Sequence, residues 1–69
     1  MKLSTIPQES RIKAETRDEK GNKLGDYVIF HNLDGAFSYC TVEGKPTEVV
    51  HLSANQELIF TKDGYYTLA

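Results

Sequence analysis

The sequence predicts an all-β fold: a small single-domain antiparallel meander, or a partly closed barrel, of five to six strands. Three observations lead there. Short runs of β-branched and aromatic residues recur along the chain, Asp-Gly pairs at 34–35 and 63–64 punctuate them, and no window has the apolar stripe of an amphipathic helix. A chain of 69 residues suits one domain spanning 1–69.

The elements follow in order. Residues 1–10 are mixed and contain Pro7, which fits a lead-in arm or a short edge strand. In Arg11–Arg17, Ile12 and Ala14 fall on one side and Arg11, Lys13 and Glu15 on the other, as in a half-buried strand. Helix-favouring Ala, Glu, Lys and Arg compete there, but the apolar positions are too few for a helical stripe. Residues 18–25, DEKGNKLG, read as an exposed charged loop.

Tyr27–Val42, YVIFHNLDGAFSYCTV, is the centre of the chain. Asn32-Leu33-Asp34-Gly35 has the chemistry of a type I turn closed by a glycine bulge. A three-residue loop of that kind sets Asn32 opposite Ala36, Phe30 opposite Ser38 and Val28 opposite Cys40. One face then carries Val28, Phe30, Cys40 and Val42. The other carries Tyr27, Ile29, His31, Phe37 and Tyr39. Neither is polar, whereas an antiparallel hairpin with one side in water has one polar face. One face must be core, and the other must be covered by the chain itself, a second subunit or a partner.

Residues 43–46 make a second turn, and 47–52 a strand with Val50 and Leu52 on one side and Val49 and His51 on the other. Residues 53–56 suit a single turn, 3₁₀ in character, with Ser53 as its cap. Residues 57–68 form a last hairpin with Leu58 opposite Leu68 and Phe60 opposite Tyr66. The order is similar to that of a Src-homology-3-like barrel: strand, long loop, three-strand meander, 3₁₀ turn, final strand. The terminal YYTL run is one strand more than that plan needs, and pairing with the amino-terminal arm or across a subunit boundary would accommodate it.

Composition narrows the function. The formal charge is −2 with both signs interleaved, which lacks the basic stripe of a nucleic-acid binder. A single cysteine, Cys40, excludes an internal disulfide framework, and two histidines with one cysteine lack the spacing of a metal site. No apolar run approaches the ~20 residues of a membrane span. The start lacks the apolar core of a signal peptide, so a cytoplasmic location is expected.

His31, His51, Cys40 and Asp34 are the residues capable of catalysis. A cysteine–histidine pair needs the two groups in hydrogen-bond reach, and this register puts Cys40 and His31 on opposite faces. The two Asp-Gly pairs are accounted for by turn chemistry. Tyr27, His31, Phe37 and Tyr39 would suit base stacking in single-stranded nucleic acid, but Arg11, Lys13, Arg17, Lys20 and Lys23 are interleaved with acids and form no basic track. The expectation is therefore a non-enzymatic protein-interaction module without cofactor or metal. It would bind a protein partner or a second copy of itself through Tyr27, Ile29, His31, Phe37 and Tyr39.

The stretches FHNLDGAFSYC (30–40) and VVHLS (49–53) resemble sequence seen in short uncharacterised proteins of tailed bacteriophages. The resemblance covers under a third of the chain. It implies a viral setting, in which the partner would be a host protein and the location the host cytoplasm, and it carries no activity.

Overall fold

Alternation along each segment of this chain puts small and apolar side chains on one side, and burying that side decides the architecture. A computed structural model describes all 69 residues. The strands are β1 (Arg11–Arg17), β2 (Lys23–Asp34), β3 (Phe37–Val42), β4 (Lys45–Val50), β5 (Leu58–Phe60) and β6 (Tyr66–Leu68). They form one six-stranded sheet in the order β4-β3-β2-β1-β6-β5. The only helical turn is a 3₁₀ segment, Leu3–Thr5.

The sheet is mixed rather than a pure antiparallel meander, and it is not closed into a barrel. All neighbours run antiparallel except β1 and β6, which are parallel with Ile12 opposite Tyr66 and Lys13 opposite Thr67. The additional YYTL strand thus lies on the free edge of β1. The cause is the connection between β4 and β5. It carries the last hairpin to the far side of the sheet, where β5 takes the outer edge and β6 returns beside β1. Within that hairpin, Leu58 opposes Leu68 and Phe60 opposes Tyr66, the register that its turn chemistry predicts.

The central hairpin differs from expectation in its turn. The loop has two residues, Gly35 and Ala36, and Asp34 pairs with Phe37. Gly35 has φ +61° and Ala36 has no positive φ, as in a type II′ turn, whose twist matches the flanking strands better than a type I turn. A two-residue loop alone would exchange the faces of β2. A bulge at His31 restores them, so that Phe30 meets Cys40 and Val28 meets Val42. The net slip from the expected pairing is two residues, which is why the core face is the expected one despite the different turn.

That face buries Val28, Phe30, Cys40 and Val42 together with Ile12, Ala14, Leu58 and Tyr66. Two further core residues, Leu3 and Ile6, come from the amino-terminal arm. The arm is a structural layer, and its backbone is tied down. Leu3 N–H donates to Gln56 O at 2.9 Å, Ser4 N–H to Ala54 O at 3.0 Å, and Leu58 N–H to Met1 O at 2.7 Å. The same 52–56 segment is fastened to the central hairpin, with Ala54 N–H donating to Ala36 O and Ser38 N–H to Leu52 O. Residues 53–56 form a turn rather than a 3₁₀ helix, and Ser53 Oγ accepts from Asn55 N–H as the expected cap.

Ser38 is the polar exception in the core. It is fully buried, and its hydroxyl donates to Leu52 O at 2.9 Å while accepting from Leu52 N–H at 3.1 Å. No buried side-chain nitrogen or oxygen lacks a partner. Cys40 is 0% exposed, with Ser38 Oγ 3.3 Å from its sulfur. Burial pushes the Cys40 thiol up from its ordinary value, against an opposing hydrogen bond with Ser38. Thiolate is the reactive form, so native protein at neutral pH is expected to label with a thiol reagent only on the timescale of unfolding. A competition experiment against free cysteine would read this directly, and labelling at the rate of an exposed thiol would contradict the burial.

Candidate functional site

The side of the sheet away from the core is the candidate functional surface. Tyr27, Ile29 and His31 of β2 and Tyr39 of β3 are half-buried on it, and Phe37 is 54% exposed. Strand alternation brings all five to this face, but they form two groups rather than one.

Tyr27 belongs to the first group. The Arg11 guanidinium lies 3.6 Å from the centre of its ring and makes two hydrogen bonds to the Glu43 carboxylate, from Nε at 2.6 Å and from an Nη at 2.9 Å. Tyr65 packs edge-on against Tyr27 with ring centres 5.4 Å apart. The Arg11 bond holds the Glu43 carboxyl below the usual carboxylate range, and Glu43 in turn raises Arg11. Ring, cation and carboxylate satisfy one another within the chain.

The second group is a row of rings, His31, Tyr39 and His51, with centres 5.4 and 6.4 Å apart. Both imidazoles have assigned hydrogen-bond roles. His31 Nδ1 lies 3.3 Å from Glu9 Oε1 and its Nε2 lies 2.6 Å from Thr41 Oγ1. A carboxylate only accepts, so in the neutral ring Nδ1 carries the proton and Nε2 accepts from the threonine hydroxyl. His51 Nδ1 is 2.9 Å from Ser38 O, and a carbonyl also only accepts, so in the neutral ring the proton is on Nδ1 and Nε2 has no partner within the chain.

Glu9–His31–Thr41 has the carboxylate–imidazole–hydroxyl order of a nucleophilic relay. Thr41 is only 6% exposed and pairs with Ile29 and Val49 on its two sides, so its hydroxyl orients the ring and is not presented to a ligand. Cys40 stands on the opposite face from both imidazoles, and its polar neighbour is Ser38. Three or more metal-ligating side chains do not converge anywhere in the chain.

At the hairpin tip, Asp34, Phe37 and His51 line an open recess of about 330 Å³. The bulge at His31 builds it. Unbulged alternation would send residue 34 to the core side with Val28 and Phe30, whereas the extra residue turns Asp34 outward beside Phe37. A larger recess of about 420 Å³ lies where the sheet fails to close, between the β1–β2 tip and β4. Two of its polar groups are engaged within the chain: Arg17 bonds Glu15 and Gly21 O, and the Asp18 carboxylate accepts from the Lys20 and Asn22 amides. Met1, Ile59, Phe60 and Leu68 are exposed individually at the β5–β6 end of the sheet.

Several of these participants escape sequence reasoning. Glu9 reaches His31 across 22 residues of sequence and sits at φ +67°, the only non-glycine residue with positive φ. Ser38 and Thr41 look like ordinary strand residues until their partners are placed. Asp34 is legible as a turn former, but its outward direction depends on the bulge.

The Arg11–Glu43 pair makes a pH-dependent contribution. Glu43 is depressed in the folded state, so the pair contributes above the ordinary carboxylate range and is lost as pH falls through the lowered Glu43 value. Glu43→Gln is therefore expected to melt below the parent at neutral pH, with the gap closing once pH falls below ~4. A gap that stays constant from neutral to acid pH would show that the ionised pair contributes nothing.

No family model, curated protein or solved structure matches the chain. The case for its role rests on the geometry of the outer face.

Proposed function

We propose that the chain is a non-enzymatic interaction module that engages another protein through the outer face of β2, β3 and β4. The observation that carries this reading is the ring row. Phe37 stands half in solvent next to Tyr39, and Tyr39 is flanked by two imidazoles, His31 held by Thr41 and Glu9 and His51 held through Nδ1 by Ser38 O. Rings held in this way lose little freedom on binding, and aromatic anchors of this kind dominate protein interfaces. Tyr27 and Ile29 would form the edge of the surface rather than its centre, since Tyr27 is already covered by Arg11 and Tyr65. Self-association through the same face is a variant of the same reading. In the viral setting that the sequence resemblance implies, the partner would be a host protein.

Single-stranded nucleic acid fits this face less well. Arg11, Arg17 and Lys23 are each paired with a carboxylate, to Glu43, Glu15 and Asp26. The ring row has acidic Glu9 and Asp34 beside it rather than cations that could track phosphates. No helix is long and apolar enough to cross a membrane.

Tyr39→Ala separates surface from core. The variant is expected to stay folded, with a stability loss of about 1 kcal/mol from the missing ring contacts, and to lose association with its partner or with itself. Mass in solution, a partner pull-down and a melting curve on the same sample would decide this. A variant that unfolds outright, as a buried aromatic would with ~3–5 kcal/mol lost, would move Tyr39 from interface to core.

A further inference from the structure

We infer that the recess formed by Asp34, Phe37 and His51 receives a guanidinium group, the side chain of an arginine in a basic segment of a partner protein. The inference rests on reading the outer face as a protein-interaction surface and names the chemistry of that partner.

The chain contains its own template for such a site. On the same face, the Arg11 guanidinium lies 3.6 Å over the centre of the Tyr27 ring while it bonds the Glu43 carboxylate. The recess has the receiving half of that arrangement without the cation. Phe37 supplies an exposed ring, and Asp34, its cross-strand partner in β2, supplies a carboxylate with no ion-pair partner in the chain. His51 adds a third feature. Its Nδ1 proton is committed to Ser38 O, so Nε2 is left as an acceptor with no donor in the chain. A ring face, a carboxylate and an open imidazole nitrogen match the planar fork of a guanidinium better than the compact ammonium of lysine. A recess of about 330 Å³ admits that group without rearrangement.

The probe is a blocked peptide, acetyl-Gly-Arg-Gly-amide, titrated into isotopically labelled protein and followed by amide chemical shifts, with a norleucine peptide as the apolar control. The expected result is saturable shifts centred on Asp34, Phe37 and His51 for the arginine peptide alone. Affinity should fall about fivefold in Asp34→Asn, the loss of one exposed ion pair. Equal shifts from the norleucine peptide, shifts elsewhere on the surface, or no saturable shift in the parent would overturn the inference, and the parent titration does not depend on any variant folding. Concentration-dependent shifts at these residues without peptide would identify a second copy as the occupant and overturn the partner-protein source. Loss of partner binding in Tyr39→Ala with no arginine binding would remove the recess and leave the face. Arginine binding with partner capture unaffected in Tyr39→Ala would do the reverse.

Discussion

Everything in this structure depends on closing a core that has sheet on only one side. Six strands with no packed helix leave the apolar side of β1, β2 and β3 to be covered by the rest of the chain, and a chain this small has little surplus surface to bury. The cover is the amino-terminal arm, whose Leu3 and Ile6 enter the cluster of Ile12, Val28, Phe30 and Leu58. The arm is held by backbone hydrogen bonds to residues 54, 56 and 58, and Leu52 and Ala54 of the same connection are bonded to the central hairpin. Arm, connection and central hairpin thus brace one another without a closed barrel. The 420 Å³ recess between the β1–β2 tip and β4 marks the side where this bracing stops.

Because the arm covers the inner side, the outer side is left over, and its character follows from local chemistry. At one end Arg11 covers Tyr27 and satisfies Glu43, and Tyr65 closes against the ring. At the other end Phe37 is left 54% exposed. The difference traces to a single extra residue. The bulge at His31 is needed because the type II′ turn at Gly35-Ala36 shifts pairing by an odd number, and the core tolerates no exchange of faces. Its consequence is that Asn32 and Asp34 lie with Phe37 and Tyr39 on the outer side. The device that protects the core register also places a carboxylate beside an uncovered ring.

Much of the fold was legible in residue order, and the limits have physical causes. The β class, the strand at Arg11–Arg17, the core set Val28, Phe30, Cys40 and Val42, and the register of the last hairpin follow from alternation and turn chemistry. Turn type at Gly35 was not decidable, because Asn-Leu-Asp-Gly-Ala supports both a three-residue and a two-residue loop. The parallel partner of β6 and the structural role of the arm are long-range choices, set by which edge is free after the other strands have paired. Of the outer-face residues, Phe37, Tyr39 and His31 were recognisable as one group. That Tyr27 belongs with Arg11 and Tyr65, and that Glu9 and Thr41 fix His31, required the strands to be placed.

The claim on which the rest stands is that residues 1–6 are a fixed layer of the core. Native-state amide hydrogen exchange at Leu3 and Ser4, whose N–H groups bond Gln56 O and Ala54 O, tests it most directly. Protection at the level of the β1 and β2 amides is the predicted result, since releasing the arm opens the core. Exchange of Leu3 and Ser4 at unprotected rates, with β1 to β3 still protected, would contradict the account: the core would then be complete without the arm.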